Sequence, residues 1–179
     1  EMAREKGVVV EEIHMDEDTP EDLCLDLLAR TAFGNRNYGR NILGPASNVE
    51  GFTREDLFAY RRERYCPENI VISFAGNIAT AEALALAEAY FGGMERTGFT
   101  DRKKEVVQTA GSMLRKKPIE QTHFALGFPT VAREDKMRPA VQVMYAILGG
   151  GMSSRLFKKV REELGLAYSV YSYCSHYAE

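Results

Sequence analysis

Three glutamates within residues 1–17 have a spacing that places them on one side of a helix. At 100° per residue, Glu1, Glu5 and Glu12 fall within about 40° of one another, with Val8 and Met15 beside them. A carboxylate buried in an apolar sector costs several kcal/mol unless it has a partner, so Glu12 would need water, a cation or a metal. On the helix pattern alone, an exposed acidic rim beside an apolar stripe is the simpler interpretation.

The three histidines do not complete a metal site by their spacing. His14 lies on the opposite side of the same predicted helix, and His123 and His176 are isolated on strand-like segments. None has a second histidine three or four residues away, which is the arrangement that zinc helices use. Each is therefore expected to be a structural histidine.

The stretch GGGMSSRLF, residues 149–157, places three glycines before a predicted helix, and such a loop can cradle an anion. The lysine and the G-x-x-x-x-G-K-[ST] spacing of a phosphate-binding loop are absent. A helix break that allows close packing is the favoured interpretation. The chain also has no G-x-S-x-G motif, which argues against a serine hydrolase of the nucleophile-elbow type.

Charge and cysteine content restrict the class of protein. The 179 residues carry a net charge of −3 with mixed signs, which argues against nucleic acid or an anionic membrane as the main partner, because both select basic patches. The three cysteines are far apart and odd in number, which favours a reducing compartment over a disulfide framework. We expect a cytoplasmic protein with no membrane span.

Hydrophobic periodicity and capping residues predict six helices and three strands. Helices are expected at 1–17, 19–33, 53–65, 80–90, 133–148 and 153–164, and strands at 70–75, 121–128 and 167–177. Residues 35–52 are expected to form a loop, and residues 94–110 are polar without periodicity. Because no regular β-α-β order is visible, the predicted fold class is α+β, with helices packed on an antiparallel sheet.

Several stretches together resemble one known family. EKGVVVEEIHMDEDTPEDL resembles the segment after the inverted zinc motif of pitrilysin/insulinase-like metallopeptidases, the group that contains the mitochondrial processing peptidase. GGGMSSRLFKKVREELGLAYSVYS resembles the start of the second, zinc-free half, and YGRNILGP and RRERYCPENIVISFAGNI resemble the elements between. The likeness is nearest to the bacterial processing-protease type. It implies two homologous half-domains, each partly present: 1–98 from the zinc-bearing half, a linker at 99–110, and 111–179 from the zinc-free half.

The resemblance also implies roles for four residues. Glu12 matches the glutamate that completes the zinc site, and Glu5 matches a second acid that supports it. Arg161 and Tyr168 match an arginine and a tyrosine that reach a peptide substrate. The implied activity is that of a zinc endopeptidase that cleaves peptides or presequences with a metal-activated water.

One departure from the family pattern limits what this chain can do. The H-x-x-E-H motif, which would supply two zinc ligands and the general base, is absent. We therefore expect an internal fragment that is inactive alone and acquires zinc only as part of the full-length protein. The alternative is a non-catalytic partner or structural subunit of the same family. The sequence leaves open whether two copies pair as a homodimer.

Overall fold

Helices form the regular structure of residues 1–100 and 106–177, the part of the chain that the computed structural model describes. Two 3₁₀ turns, Asn37–Gly39 and Pro67–Asn69, and a π-helix, Phe157–Glu163, accompany the α-helices. The α-helices are α1 (Met2–Asp18), α2 (Pro20–Phe33), α3 (Ala46–Gly51), α4 (Arg54–Arg64), α5 (Thr80–Phe91) and α6 (Arg138–Gly149). None of these helices combines the length and apolar character needed to cross a membrane.

Local sequence signals fix where several helices begin. Thr53 caps α4: its hydroxyl accepts from the Asp56 N–H at 3.2 Å, and the Asp56 carboxylate accepts from the Thr53 N–H at 2.8 Å. This reciprocal pair satisfies two backbone donors that the first turn leaves free. Pro20 opens α2, as its preset φ favours. The helices predicted at 1–17, 19–33, 53–65 and 80–90 are confirmed within about two residues.

The later helices differ from the prediction in their bounds. The helix predicted from residue 133 begins at Arg138, because a turn precedes it in which the Asp135 carboxylate accepts from the Met137 N–H at 2.7 Å. The helix predicted at 153–164 contains a π-helix, at whose end the Leu164 N–H donates to the Lys159 carbonyl at 3.1 Å. The loop predicted at 35–52 contains α3.

The predicted α+β fold with an antiparallel sheet is wrong. No β-strand occurs in residues 1–100 or 106–177, so the described chain is all-helical. The prediction rested on a short apolar run at 70–75, on alternation at 121–128 and on a tyrosine-rich segment at 167–177. Such patterns show only that a segment can present an apolar face. A strand also needs a neighbour in register, and the predicted apolar face at 121–128 instead leaves Phe124 79% and Phe128 81% exposed.

The described chain divides into two units that are not consecutive in sequence. The first contains residues 1–23 and 40–104, and in it α1 packs on α3. Ile13 and Val49 are the buried apolar side chains of these two helices, and the Lys6 ammonium donates to the Glu50 carbonyl at 2.8 Å. The buried side of α1 is therefore the side of Lys6 and Ile13.

The second unit contains residues 24–39 and 105–179. The end of α2 is held there by Thr109, whose N–H donates to the Ala32 carbonyl at 2.8 Å. Tyr177 stacks on Tyr38 with ring centroids 3.9 Å apart, and Phe33 meets both rings edge-on. The half-domain bounds 1–98 and 111–179 stay a prediction, and residues 101–105 of the predicted linker lie outside the described part.

Candidate functional site

The two acids of α1 predicted to belong to a site, Glu5 and Glu12, lie on its exposed side. Glu12 and Glu5 are both exposed, as are Val8 (48%) and Met15 (69%) beside them. The Glu5 carboxylate pairs with the Arg4 guanidinium at 3.1 Å, an exposed contact between sequence neighbours. Glu12 thus shares its side of the helix with apolar side chains, as the spacing predicts, but this side is exposed and the buried one centres on Ile13.

A complete metal site is not formed by the residues that the structure describes. Among them, no group of three or more histidine, cysteine, aspartate or glutamate side chains is close enough together to hold a metal ion. A carboxylate such as Glu12 is a suitable zinc ligand, but protein zinc sites use three or four ligands. The described residues therefore do not fit zinc by themselves.

The three histidines occupy unrelated positions. His14 is exposed on α1 and His123 is exposed on an irregular segment. The Nδ1 atom of His176 lies 2.9 Å from the Val131 carbonyl oxygen, a contact that places the proton on Nδ1. His176 therefore connects the segment before Tyr177 to residue 131, which agrees with a structural role.

Arg161 and Tyr168 both lie in the second unit and are both exposed. Arg161 belongs to the π-helix, and its guanidinium carbon lies 4.8 Å from the centre of the Phe157 ring. Tyr168 follows the π-helix on an irregular segment and is 83% exposed. The spacing of Phe157 and Arg161, four residues apart, is the signal in the sequence for this contact.

Two of the three glycines, Gly149 and Gly150, allow close packing at the end of α6. A Cβ atom on Gly149 would collide with the backbone nitrogen of Ser172, and one on Gly150 would meet the Ala146 backbone at 2.7 Å. Gly151 faces open space. The prediction of a helix break with close packing is confirmed.

A shallow cavity lies elsewhere, along α4. Its volume is about 250 Å³, and its lining consists of Arg54, Glu55, Phe58 and Arg62. The Arg54 guanidinium covers the Phe58 ring at 4.5 Å. None of the residues predicted to form a site lines this cavity.

Comparison with known proteins decides the family. Residues 51–179 match the family described as the peptidase M16 inactive domain. The chain belongs to this family. The match contains Arg161 and Tyr168, whereas Glu5 and Glu12 lie before it. The family resemblance seen in the sequence is confirmed at this level.

Curated relatives extend the similarity over the whole chain. It is 40% identical over 179 residues to the uncharacterized zinc protease YmxG of Bacillus subtilis, covering 100% of this chain and 44% of that protein. It is 39% identical to an uncharacterized zinc protease of Streptomyces coelicolor, covering 98% of this chain and 40% of that protein. The chain therefore spans less than half the length of these relatives.

Solved structures share the fold. A crystal structure of a peptidase M16 inactive domain from Pseudomonas fluorescens superposes with a TM-score of 0.73 at 23% identity, covering 98% of this chain and 43% of that one. A protease from Helicobacter pylori gives a TM-score of 0.71 at 17% identity, covering 99% of this chain and 45% of that one. At these identities the likeness concerns the fold.

Proposed function

We propose that this chain is part of a longer zinc-dependent endopeptidase, in which Glu12 is a zinc ligand and Arg161 and Tyr168 contact a peptide substrate. The observation that carries the proposal is the similarity of 39–40% over the whole chain to proteins named zinc proteases. The chain alone is proposed to be inactive, since one carboxylate does not make a zinc site.

The position of Glu12 supports its part in the proposal. Its side chain is exposed on α1, so ligands supplied by other parts of a longer protein can reach it. Glu5 lies on the same side, seven residues earlier, and its proposed role is to support the site. Glu11 and Glu12 are neighbours on this helix that point in different directions.

Arg161 and Tyr168 offer chemistry that suits a peptide. An arginine has five N–H donors and a tyrosine has a hydroxyl, and both can donate to the carbonyl oxygens of a peptide backbone. Both side chains are exposed within one unit of the structure. Contacts to the backbone would favour peptides with loose side-chain preference.

Substitution of three glutamates of α1, one at a time, tests the proposal in the full-length protein. Glu12→Gln keeps the size but removes the charge, so zinc affinity and peptide hydrolysis should both collapse. Glu5→Gln should lower zinc affinity or peptide hydrolysis by about 10- to 100-fold, which is the typical effect of substituting a residue that supports a metal ligand. Glu11→Gln is the matched control and should leave both near normal. Equal losses from Glu11→Gln and Glu12→Gln would overturn the assignment.

A second function is favoured by the family description itself, which is that of an inactive domain. In this case the longer protein would be a non-catalytic partner or structural subunit. An H-x-x-E-H motif upstream in the gene, together with stoichiometric zinc in the full-length protein, would support the enzyme. Loss of the motif would support the partner subunit.

We also propose that the protein works in a reducing compartment such as the cytoplasm. Cys24, Cys66 and Cys174 are free thiols, and Cys66 is completely buried. Burial raises the pKa of the Cys24 thiol, which favours its protonated form. Thiol labelling of the unfolded protein from lysed cells tests this. All three cysteines are expected to be free and to react with the label, and a disulfide would contradict the proposal.

A further inference from the structure

The π-helix Phe157–Glu163 holds the face of an arginine against an aromatic ring. The Arg161 guanidinium carbon lies 4.8 Å from the centroid of Phe157, within the distance at which a cation is attracted by a ring face. Phe157 is half-buried whereas Arg161 is exposed. The ring is thus the more fixed member of the pair, and the cation rests on it.

A second pair on the same helix shows what is particular about Arg161. The Lys159 ammonium pairs with the Glu163 carboxylate at 2.6 Å, also four residues apart. Among the described residues, by contrast, no carboxylate lies within ion-pair distance of Arg161. Its face is engaged by Phe157, and the N–H groups at its edge are available to an acceptor.

We propose that Phe157 is a positioning residue, which holds the Arg161 guanidinium in the orientation that receives the peptide substrate. This inference rests on the proposed function, in which Arg161 contacts the substrate. Phe157 itself does not touch the substrate in this proposal. It acts by restricting the many rotamers of a long side chain before the substrate arrives.

Pre-organisation of this kind reduces the entropy that binding must remove. A free arginine side chain loses rotamer freedom when it forms a bond, and less is lost if the ring already restricts it. An exposed cation–π contact of this type corresponds to about a 2- to 5-fold effect on an equilibrium. Loss of the ring should therefore weaken substrate use measurably without abolishing it.

The test compares ring-removing and ring-keeping variants of the full-length, zinc-loaded protein. Phe157→Leu should lower kcat/KM for peptide hydrolysis by about 2- to 5-fold, mainly through KM, whereas Phe157→Tyr, which keeps the ring, should restore it. Lys159→Gln breaks the other pair on the π-helix and is the matched control, expected to leave kcat/KM unchanged. A Phe157→Tyr variant as impaired as Phe157→Leu would overturn the proposal.

A double-mutant cycle separates this proposal from the one on which it rests. In an Arg161→Gln background, Phe157→Leu should have no further effect, and an equal loss there would overturn the positioning role. If Arg161→Gln impairs hydrolysis and Phe157→Leu does not, the positioning role of Phe157 is overturned while the substrate contact of Arg161 stands. If Arg161→Gln leaves hydrolysis unchanged, the substrate contact is overturned, and the positioning role is overturned with it.

The chemical shift of the Arg161 Nε–H gives a readout that does not depend on activity. The ring current of Phe157 should displace this shift, and the displacement should disappear in Phe157→Leu and remain in Phe157→Tyr.

Discussion

Ser172 holds the C-terminal end of α6 through hydrogen bonds to the carbonyls of Gly149 and Tyr145. The Ser172 N–H donates to the Gly149 carbonyl at 3.0 Å, and its hydroxyl donates to the Tyr145 carbonyl at 2.8 Å. The Gly149 carbonyl is one of the last four carbonyls of α6, which lack an i+4 N–H within the helix. The close approach depends on a residue without a Cβ at position 149.

Substitution of two glycines should therefore give unequal results. Gly149→Ala would gain about 0.5–1 kcal/mol from helix propensity but would place a Cβ against the Ser172 backbone, at a typical cost of about 1–3 kcal/mol. We expect a net loss of stability, measured by urea unfolding. Gly151→Ala, where nothing lies within 4 Å, should change stability by less than about 0.5 kcal/mol. Equal effects would contradict this account of the three glycines.

Removal of the α4 cap should cost stability in a pH-dependent way. Thr53→Ala should lose about 1 kcal/mol at neutral pH, whereas Thr80→Ala, in the first turn of an α5 that lacks a side-chain cap, should lose little. Hydrogen bonds from the Thr53 side chain and backbone hold the pKa of Asp56 below its usual value.

The sign of the pH dependence follows from this lowered pKa. The stabilisation by the Asp56 carboxylate is fully present above the unfolded pKa of about 3.9 and is lost as pH falls through the lower folded value. An NMR titration of the Asp56 carboxyl carbon should show its pKa rise in Thr53→Ala. An unchanged titration would mean that the cap does not set this pKa.

The chain by itself should not retain zinc. One exposed glutamate gives no chelate, so metal analysis after dialysis should find well under one equivalent. Glu12→Gln should leave the stability of the isolated chain within about 0.5 kcal/mol, because the side chain is exposed. Zinc that resists a chelator at one equivalent would refute the incomplete ligand set.

The stacked tyrosines of the second unit should be energetically coupled. Tyr38→Leu and Tyr177→Leu each remove one ring of a pair at 3.9 Å, and the double mutant should reveal a coupling of about 0.5–1.5 kcal/mol. Tyr171 and Tyr173, with centroids 6.2 Å apart and both exposed, form the control pair and should couple less. Additive losses for Tyr38 and Tyr177 would show that the stacking contributes nothing of its own.

Helices were predictable from this sequence because their signals are local. Thr53, Asp56 and Pro20 act within one turn of where they stand, and a reader of the sequence sees all the partners involved. The lack of a sheet in residues 1–100 and 106–177 was not predictable in this way, because a strand depends on a neighbour distant in sequence. The π-helix was likewise hidden, since its shift from i→i−4 to i→i−5 bonds leaves no residue signature.

The direction of Glu12 illustrates the same limit within a single helix. Spacing placed it correctly beside Val8 and Met15, but a helical wheel does not show which apolar side meets another element. The contact of α1 with α3 buries Ile13, and so the side with Glu12 is exposed. The spacing was sufficient to predict which residues lie beside Glu12, but insufficient to predict whether Glu12 is buried.

The discontinuous second unit has a consequence for synthesis. Ala32 is synthesised 77 residues before Thr109, its hydrogen-bond partner. The separation in sequence between Tyr38 and its stacking partner Tyr177 is larger still. At roughly 5–20 residues per second, the end of α2 spends several seconds without these partners. During that interval the Phe33 and Tyr38 rings lack their contacts with the Tyr177 ring. Ribosome-arrested chains ending before residue 109 should therefore be cleaved by protease near α2, whereas completed chains should resist.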